Sequence, residues 1–196
     1  MANRTAEVER KTKETQIKIA VNLDGTGKGK TVTGIGFFDH MLDHLSTHSL
    51  CDVDITCKGD LQVDAHHTVE DVGIALGQAI AQALGDKRGV TRYGSAIVPM
   101  DESLVLVALD ISGRGSLKYD LDLKKEMIGT FDSELVPEFF KSVARNAGLT
   151  LHIKQLGGKN AHHMVEAAFK AFARALRQAV SIDERVSGIP STKGTL

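Results

Sequence analysis

Apolar and polar residues alternate along several short stretches of the chain and recur at helical spacing along several longer ones. Alternation in TQIKIAVNL and KTVTGIGF predicts two strands, and the apolar spacing in FFDHMLDHLSTHS predicts a helix. A further strand is predicted in CDVDITCKGD, and a second helix runs from the DAHHTVED segment to Gly85. The first half of the chain therefore predicts the order strand, strand, helix, strand, helix.

The second half repeats this order. DAHHTVED at residues 64–71 returns as NAHHMVEA at residues 160–167, an offset of 96 residues. The equivalent strands are LVLVALDIS, GSLKYDLDL and LTLHIKQLGG, and the equivalent helices are FDSELVPEFFKSVARNAG and the segment from NAHHMVEA to Val180. We expect an α+β or α/β fold of two similar repeats, with their long helices packed together.

The two repeats, about residues 1–90 and 91–182, are predicted to form one domain over residues 1–196. Each half is under 100 residues and the junction near Gly85 to Tyr93 is short, so two independent domains are disfavoured. Residues 183–196 are left as a C-terminal tail.

The last helix can be tested by its period. An apolar stripe is formed by Met164, Ala168, Ala171, Phe172, Ala175 and Ala179, whereas Glu166, Lys170 and Arg174 step by four along another face. Asp64 and Asn160 are good N-cap residues, which places the histidine pair that follows each of them in a first helical turn.

Composition and charge exclude several classes of protein. The chain is 42% hydrophobic with a formal charge of −1, so no overall charge attracts nucleic acid or an acidic membrane. The longest apolar run is Leu104–Leu109, far short of the ~20 residues that span a bilayer. The N-terminal MANRTAEVERKTKET has no apolar region of a signal peptide. We expect a cytoplasmic protein that binds neither nucleic acid nor membrane.

The two cysteines are interpreted as reduced thiols. Cys51 and Cys57 would share one face of a strand, but six residues of strand separate them by roughly 20 Å, which no disulfide spans.

Candidate chemistry is concentrated in histidine. In each HHxxE motif the glutamate shares a helical face with both rings, while adjacent rings diverge by about 100° and suit two ions better than one. Four imidazoles and two carboxylates suit Mn, Fe, Co or Zn: His66, His67, Glu70, His162, His163 and Glu166. The positive end of each helix is expected to keep the rings neutral. The alternative is that such residues only pack or bond to neighbours, and the duplicated spacing favours metal.

The remaining histidines divide into two groups. His40 and His44 share a helical face and could complete a metal shell, whereas His48 and His152 are interpreted as structural. Other motifs are weaker. GTGKGKT lacks the glycine of a phosphate loop at Asp24 and is read as a turn between strands. The tail SGIPSTKGTL could fold over an anionic ligand or be a frayed terminus.

Six segments in one order resemble the imidazoleglycerol-phosphate dehydratase family of histidine biosynthesis: FFDHMLDHLSTHS, DAHHTVEDVGIALGQAI, GDKRGVTRYG, DISGRGSL, NAHHMVEAAFKAFARALRQA and PSTKG. The resemblance implies two pseudo-twofold-related repeats with the fold of domain 2 of ribosomal protein S5, each a four-stranded type of sheet backed by helices. It implies dehydration of D-erythro-imidazole-glycerol phosphate to imidazole-acetol phosphate, with two Mn²⁺ ions, or other divalent ions, per site. It also implies trimers assembled into a 24-subunit shell, with active sites between subunits.

The resemblance further implies roles for individual residues. The metal ligands would be His40, His66, His67, Glu70, Glu138, His162, His163 and Glu166, although Glu138 stands where many members have histidine. His44 would contact the substrate, and the phosphate would be held by Arg92, Arg114, Lys170, Ser191 and Lys193. Glu14 would lie beside the substrate as a proton-transfer group. The catalytic set is then Glu14, His44, His67, Glu70, His163 and Glu166.

The implied reaction is chemically coherent with such a site. The C2 proton of the glycerol chain is not next to a carbonyl, so the imidazole must assist its loss. Metal-stabilised imidazolate can expel the C3 hydroxyl to give a diazafulvene, and a base such as Glu14 can then remove the C2 proton. Two other classes remain open: a different di-metal hydrolase on this scaffold, and a non-catalytic metal-binding shell protein.

Overall fold

The computed structural model describes residues 4–196, which form two halves of similar element order. The first half contains β1 (Thr5–Lys11), β2 (Thr15–Asn22), β3 (Thr31–Val32), α1 (Gly36–Ser49), β4 (Asp52–Gly59) and α2 (His66–Leu84). The second half contains β5 (Tyr93–Met100), β6 (Ser103–Asp110), β7 (Ser116–Asp120), β8 (Met127–Ile128), β9 (Phe131–Asp132), α3 (Leu135–Ala147), β10 (Thr150–Gly157) and α4 (Ala161–Val180).

Each half folds into a four-stranded sheet of the same topology. The strand orders are β1-β2-β4-β3 and β5-β6-β10-β7, and in both sheets only the last pair is parallel. The predicted α+β fold of two four-stranded repeats is thereby confirmed. A short β8–β9 hairpin lies between β7 and α3 in the second half.

The first strand of each half, β1 or β5, was not predicted from the sequence pattern. In β1 only Val8 is both apolar and buried, and in β5 the glycine and proline at Gly94 and Pro99 interrupt the pattern. Apolar alternation is therefore too weak to reveal these strands, and their backbone pairing with β2 and β6 forms them. β3 is shorter than predicted because Gly34, at a φ of +84°, turns the chain towards α1.

The helices lie between the two sheets, and the short helix of each half packs on the long helix of the other half. The long helix α2 covers β1 and β2, and α4 covers β5 and β6. The short helix α1 packs on α4 of the other half, and α3 packs on α2. A cluster of fully buried aromatic rings joins them: Phe38, Phe131, Phe139, Phe140, Phe169 and Phe172. Phe38 of the first half packs here on Phe131 and Phe139 of the second. Burial of such a ring contributes roughly 1.5–3 kcal/mol, so this contact helps to hold the two halves together.

Both long helices begin close to where the caps predict. The side chain of Asn160 caps α4 by accepting a hydrogen bond from the His163 backbone N–H, at 3.2 Å. In α2 the N-cap is Ala65, and Asp64 lies one residue earlier, where it accepts from the His66 N–H at 2.7 Å. Both histidine pairs therefore occupy first turns, as predicted, and the apolar stripe of α4 is buried.

The glycine-rich loop before β3 is a turn whose N–H groups are already bonded. Asp52 accepts from the backbone of Thr26 and Lys28, and Asp54 accepts from Lys30. These groups are not available to a phosphate, which agrees with the interpretation as a turn. Cys51 and Cys57 are free thiols. No helix within residues 4–196 has the length and apolarity to cross a membrane.

Substitution of Gly77 tests the close packing of α2 on α3. A Cβ there would lie 2.7 Å from the Cβ of Asn146 and 2.8 Å from the Val143 carbonyl oxygen. We expect Gly77→Ala to destabilise the fold by about 1–2 kcal/mol, because overpacking outweighs the gain of about 1 kcal/mol in helix propensity. Gly36→Ala, where a Cβ meets no atom within 4 Å, is the control. Urea-unfolding midpoints compare the two, and an unchanged midpoint for Gly77→Ala would contradict the packing argument.

Candidate active site

Where α1 packs on α4, each helix presents a row of side chains spaced one helical turn apart. The two rows face each other. His40, His44 and His48 form the first, with the rings of His44 and His48 stacked at 5.5 Å between centroids. Glu166, Lys170 and Arg174 form the second. The polar face of α4 therefore packs against the histidine face of α1, and Glu166 is only 5% exposed.

Glu166 is the centre of this cluster. Its carboxylate lies 3.5 Å from His40 Nε2, 3.3 Å from His44 Nε2 and 3.2 Å from His162 Nε2. Lys170 donates to it at 2.6 Å. Within residues 4–196, His40, His44 and Glu166 are the one group of three donors that comes within 4.8 Å. Imidazole nitrogens with a carboxylate form a donor set that fits a borderline divalent metal.

The electrostatics of the cluster favour neutral rings at His44 and His48 and a charged carboxylate at Glu166. Burial lowers the pKa of His44 to about 4, against the opposing attraction of Glu166. Burial also lowers the pKa of His48, helped by Lys170 and Arg174. Burial alone would raise the pKa of Glu166, but the Lys170 ammonium outweighs it and the pKa is lowered. Neutral imidazole and ionised carboxylate are the metal-ligating forms.

The start of α2 carries the corresponding groups of the first repeat. The ring centroids of His66 and His67 lie 6.3 Å apart, and the ring planes are at 89° to each other. His67 Nδ1 contacts Asp60 at 3.0 Å, and its Nε2 lies 3.7 Å from Glu14. Glu70 is half-buried one turn along the helix. Glu14, implied as the proton-transfer group, therefore lies beside a candidate metal ligand.

Glu138 lies on α3, at the position equivalent to His40 on α1. It precedes the first residue of β10 by as many positions as His40 precedes the first residue of β4. Glu138 and His66 line one cavity of about 910 Å³, and Lys141 donates to Glu138 at 3.0 Å. Lys141 therefore balances the negative charge of Glu138, whose equivalent in the first half is the imidazole of His40.

His163, at the start of α4, is held like His67. Its Nδ1 lies 2.8 Å from Glu102, and its Nε2 lies 3.6 Å from Asp101. The hydrogen bonds to Asp60 and Glu102 raise the pKa values of His67 and His163 respectively. This differs from the expectation that the helix ends keep these rings neutral, because a hydrogen-bonded carboxylate outweighs the partial charge of a helix terminus.

A second site collects four of the five candidate phosphate-binding residues. Arg92, Arg114, Ser191 and Lys193 line a pocket of about 560 Å³. Arg92 donates to Asp110 at 2.7 Å and to the Pro190 carbonyl at 2.7 Å, which draws the tail over the pocket. Lys87 also donates to the Leu196 carbonyl at 3.2 Å, so the tail is bonded to the rest of the chain at both Pro190 and Leu196. Lys170 lies apart from this pocket, in the Glu166 cluster.

Asp60, Glu102 and Asp110 are site residues that the sequence did not indicate. Asp60 follows β4, Glu102 precedes β6, and Asp110 ends β6. A carboxylate at a strand end is common on any surface, so only its partner reveals a role. The one signal in the sequence was that Glu102, like Glu14, stands immediately before a buried strand.

Comparisons with known proteins agree with the motif resemblance. A family model described as imidazoleglycerol-phosphate dehydratase matches residues 33–176. A protein of that name from Desulforamulus reducens is 60% identical over all of both chains, and one from Acetivibrio thermocellus is 59% identical over 99% of this chain and 100% of its own. The crystal structure of the Staphylococcus aureus dehydratase, 42% identical, superposes with a TM-score of 0.83 over 91% of this chain and 99% of its own. A Pyrococcus furiosus structure has the same score and identity over 96% and 100%.

Removal of the Arg92 side chain tests how the tail is held. Arg92→Ala deletes its bonds to Pro190 and Asp110, and we expect tail opening to increase about 10- to 100-fold, given 1.5–3 kcal/mol for charged hydrogen bonds. Trypsin should then cleave after Arg185 and Lys193 correspondingly faster, as followed by mass spectrometry. Arg114→Ala is the control, since Arg114 is 68% exposed and approaches Asp110 only at 3.7 Å. Equal cleavage rates in both variants would contradict this account.

Proposed function

This chain belongs to the imidazoleglycerol-phosphate dehydratase family, hydro-lyases of histidine biosynthesis, and we propose that it performs its dehydration with two divalent metal ions held at the starts of α2 and α4. The substrate would be D-erythro-imidazole-glycerol phosphate and the product imidazole-acetol phosphate. The observation that carries the metal proposal is the cluster of His40, His44 and His162 around the buried Glu166.

The ligand assignment follows the two HHxxE elements. The ligands would be His162, His163 and Glu166 with His40, and His66, His67 and Glu70 with Glu138. Because adjacent rings on a helix diverge, the two histidines of each pair would bind different ions. His44 lies as close to Glu166 as His40 does, so it would contact either the ion or the substrate beside it. When bound, Mn²⁺ would supply Lewis acidity that favours the imidazolate form of the substrate and orients its diol.

The protein's own groups would bind the substrate and move its protons. Glu14, 3.7 Å from His67 Nε2 and exposed, can reach a ligand beside that ring and accept the C2 proton. The pocket of Arg92, Arg114, Ser191 and Lys193 would hold the phosphate at the non-reacting end. Binding there would convert remote binding energy into orientation of the reacting carbons. Lys170 would keep Glu166 ionised. In an assembly it would also bind the phosphate of a substrate held by a neighbouring subunit.

We also propose that the enzyme is cytoplasmic and works as a shell of 24 subunits built from trimers. Support comes from the incomplete grouping of donors in one chain, because within residues 4–196 the first histidine pair gathers no third ligand within reach. His66 and His162 are both exposed at helix starts, where a neighbouring chain could supply the missing donors. Active sites between subunits would unite the metal donors with the phosphate pocket.

Turnover of imidazole-glycerol phosphate by chelated and Mn²⁺-reconstituted protein tests the function. We expect the chelated protein to be inactive and activity to return with two Mn²⁺ per chain, with the ketone product detected directly. Ester or amide turnover without dehydration would indicate a di-metal hydrolase. Metal-dependent particle assembly without any turnover would indicate a storage shell. Full activity after exhaustive chelation would refute the metal proposal alone.

The phosphate pocket gives a separate prediction. We expect Arg114→Ala or Lys193→Ala to raise KM for the phosphorylated substrate about 10- to 100-fold, because each removes a charged hydrogen bond of about 1.5–3 kcal/mol. Metal content, measured by atomic emission on the same samples, should stay at the wild-type value. Loss of metal in either variant would show that the residue belongs to the metal site instead.

A further inference from the structure

One ring nitrogen of His67 and of His163 is bonded to a carboxylate that the HHxxE motif does not contain. Asp60 lies 3.0 Å from His67 Nδ1, and Glu102 lies 2.8 Å from His163 Nδ1. The other histidines of the two pairs differ: the His162 contact to Glu166 is made through Nε2. The Nδ1 contacts are therefore a property of the second histidine in each pair.

These two carboxylates come from different places in the repeat. Asp60 follows β4, in the loop that leads to α2, whereas Glu102 lies in the turn between β5 and β6. The position in the first half equivalent to Glu102 is Glu14, since each immediately precedes the second strand of its sheet. The same contact thus arises twice from non-equivalent residues, so duplication of the chain does not by itself explain it.

An ionised carboxylate can only accept a hydrogen bond, so a ring bonded through Nδ1 must carry its proton there. The lone pair of a neutral ring is then on Nε2. A carboxylate bonded in this way also fixes the ring plane and increases the basicity of the free nitrogen. Because Asp60 takes this position in the first half, Glu14 stays free of it and faces Nε2 at 3.7 Å.

We propose that Asp60 and Glu102 are positioning residues that hold the Nδ1–H tautomers of His67 and His163 and so present Nε2 to the metal. The inference rests on the proposed metal function. It also assigns unlike roles to two equivalent glutamates: Glu102 orients a ligand, and Glu14 is available to the substrate.

Mn²⁺ affinity of the metal-free protein, measured by competition with a fluorescent chelator, tests the proposal. We expect Asp60→Asn and Glu102→Gln each to weaken one of the two sites about 10- to 100-fold, because an amide can donate to Nδ1 and allow the other tautomer. The matched controls are Asp86→Asn and Glu7→Gln, whose affinity should equal wild type. Both carboxylates are exposed, Asp86 beyond the C-terminal end of α2 and Glu7 within β1.

Asp60→Asn is the cleaner arm of the experiment. Among the described side-chain hydrogen bonds, those of Asp60 are to His67 alone. Glu102 also accepts hydrogen bonds from the backbone N–H groups of Lys159 and Asn160, and a glutamine oxygen at this position can still accept them. Solid-state ¹⁵N NMR of histidine-labelled, metal-free protein reads the tautomer directly. We expect the Nδ1–H signal to fall in both variants and to stay unchanged in the controls.

The outcomes separate this inference from the proposed function. A wild-type protein that binds no Mn²⁺ would overturn both. Two tight sites in wild type, with unchanged affinity and tautomer in Asp60→Asn and Glu102→Gln, would overturn the positioning role alone. A positioning role also predicts that kcat recovers at saturating Mn²⁺. A loss of kcat that no Mn²⁺ concentration restores would place these carboxylates in the reaction itself and overturn the proposal.

Discussion

The packing of each short helix on the long helix of the other half constrains the whole molecule. Each sheet buries its apolar face under its own long helix, whereas α1 and α3 each pack on the long helix of the other half. Phe139 of α3 also stacks on Phe169 of α4 in its own half. The aromatic cluster around Phe139 is shared by both halves, so its burial stabilises them together. The same crossing places the histidine face of α1 on Glu166 of α4.

This packing buries the charged carboxylate of Glu166, which costs hydration free energy that neighbouring groups offset. A carboxylate that is 5% exposed loses most of its hydration, which opposes the charged form. Lys170 at 2.6 Å and the surrounding imidazoles return enough favourable interaction to keep it ionised. The protein thus keeps an ionised carboxylate, paired with a lysine, inside a packed helix interface.

The two repeats have kept one architecture and diverged in their polar side chains. His40 corresponds to Glu138, so equivalent backbone positions carry different side chains. Glu14 and Glu102 are equivalent and identical, but they face different ring nitrogens of their histidines. Asp71 is a further difference: it is buried and bonded to Arg10 and Thr15, where the second repeat has Ala167. Duplication therefore supplies the frame, and individual substitutions give the two halves different polar contacts, such as the pocket of Arg92, Arg114 and Lys193 in the second half.

The sequence by itself determined the features that depend on local periodicity and spacing. The helices, the strands with strong alternation, the first-turn histidine pairs and the resemblance to the family could all be predicted, because each depends on residues close together in the chain. β1 and β5 were not predicted, because they form by backbone pairing with β2 and β6 and have little apolar alternation. Only the tertiary structure decided that Glu166 meets His40 and His44, that Asp60 and Glu102 hold the second histidines, and that Lys170 lies apart from Arg92. Such contacts join residues far apart in sequence, and their geometry is set by how helices and sheets pack, which no local pattern records.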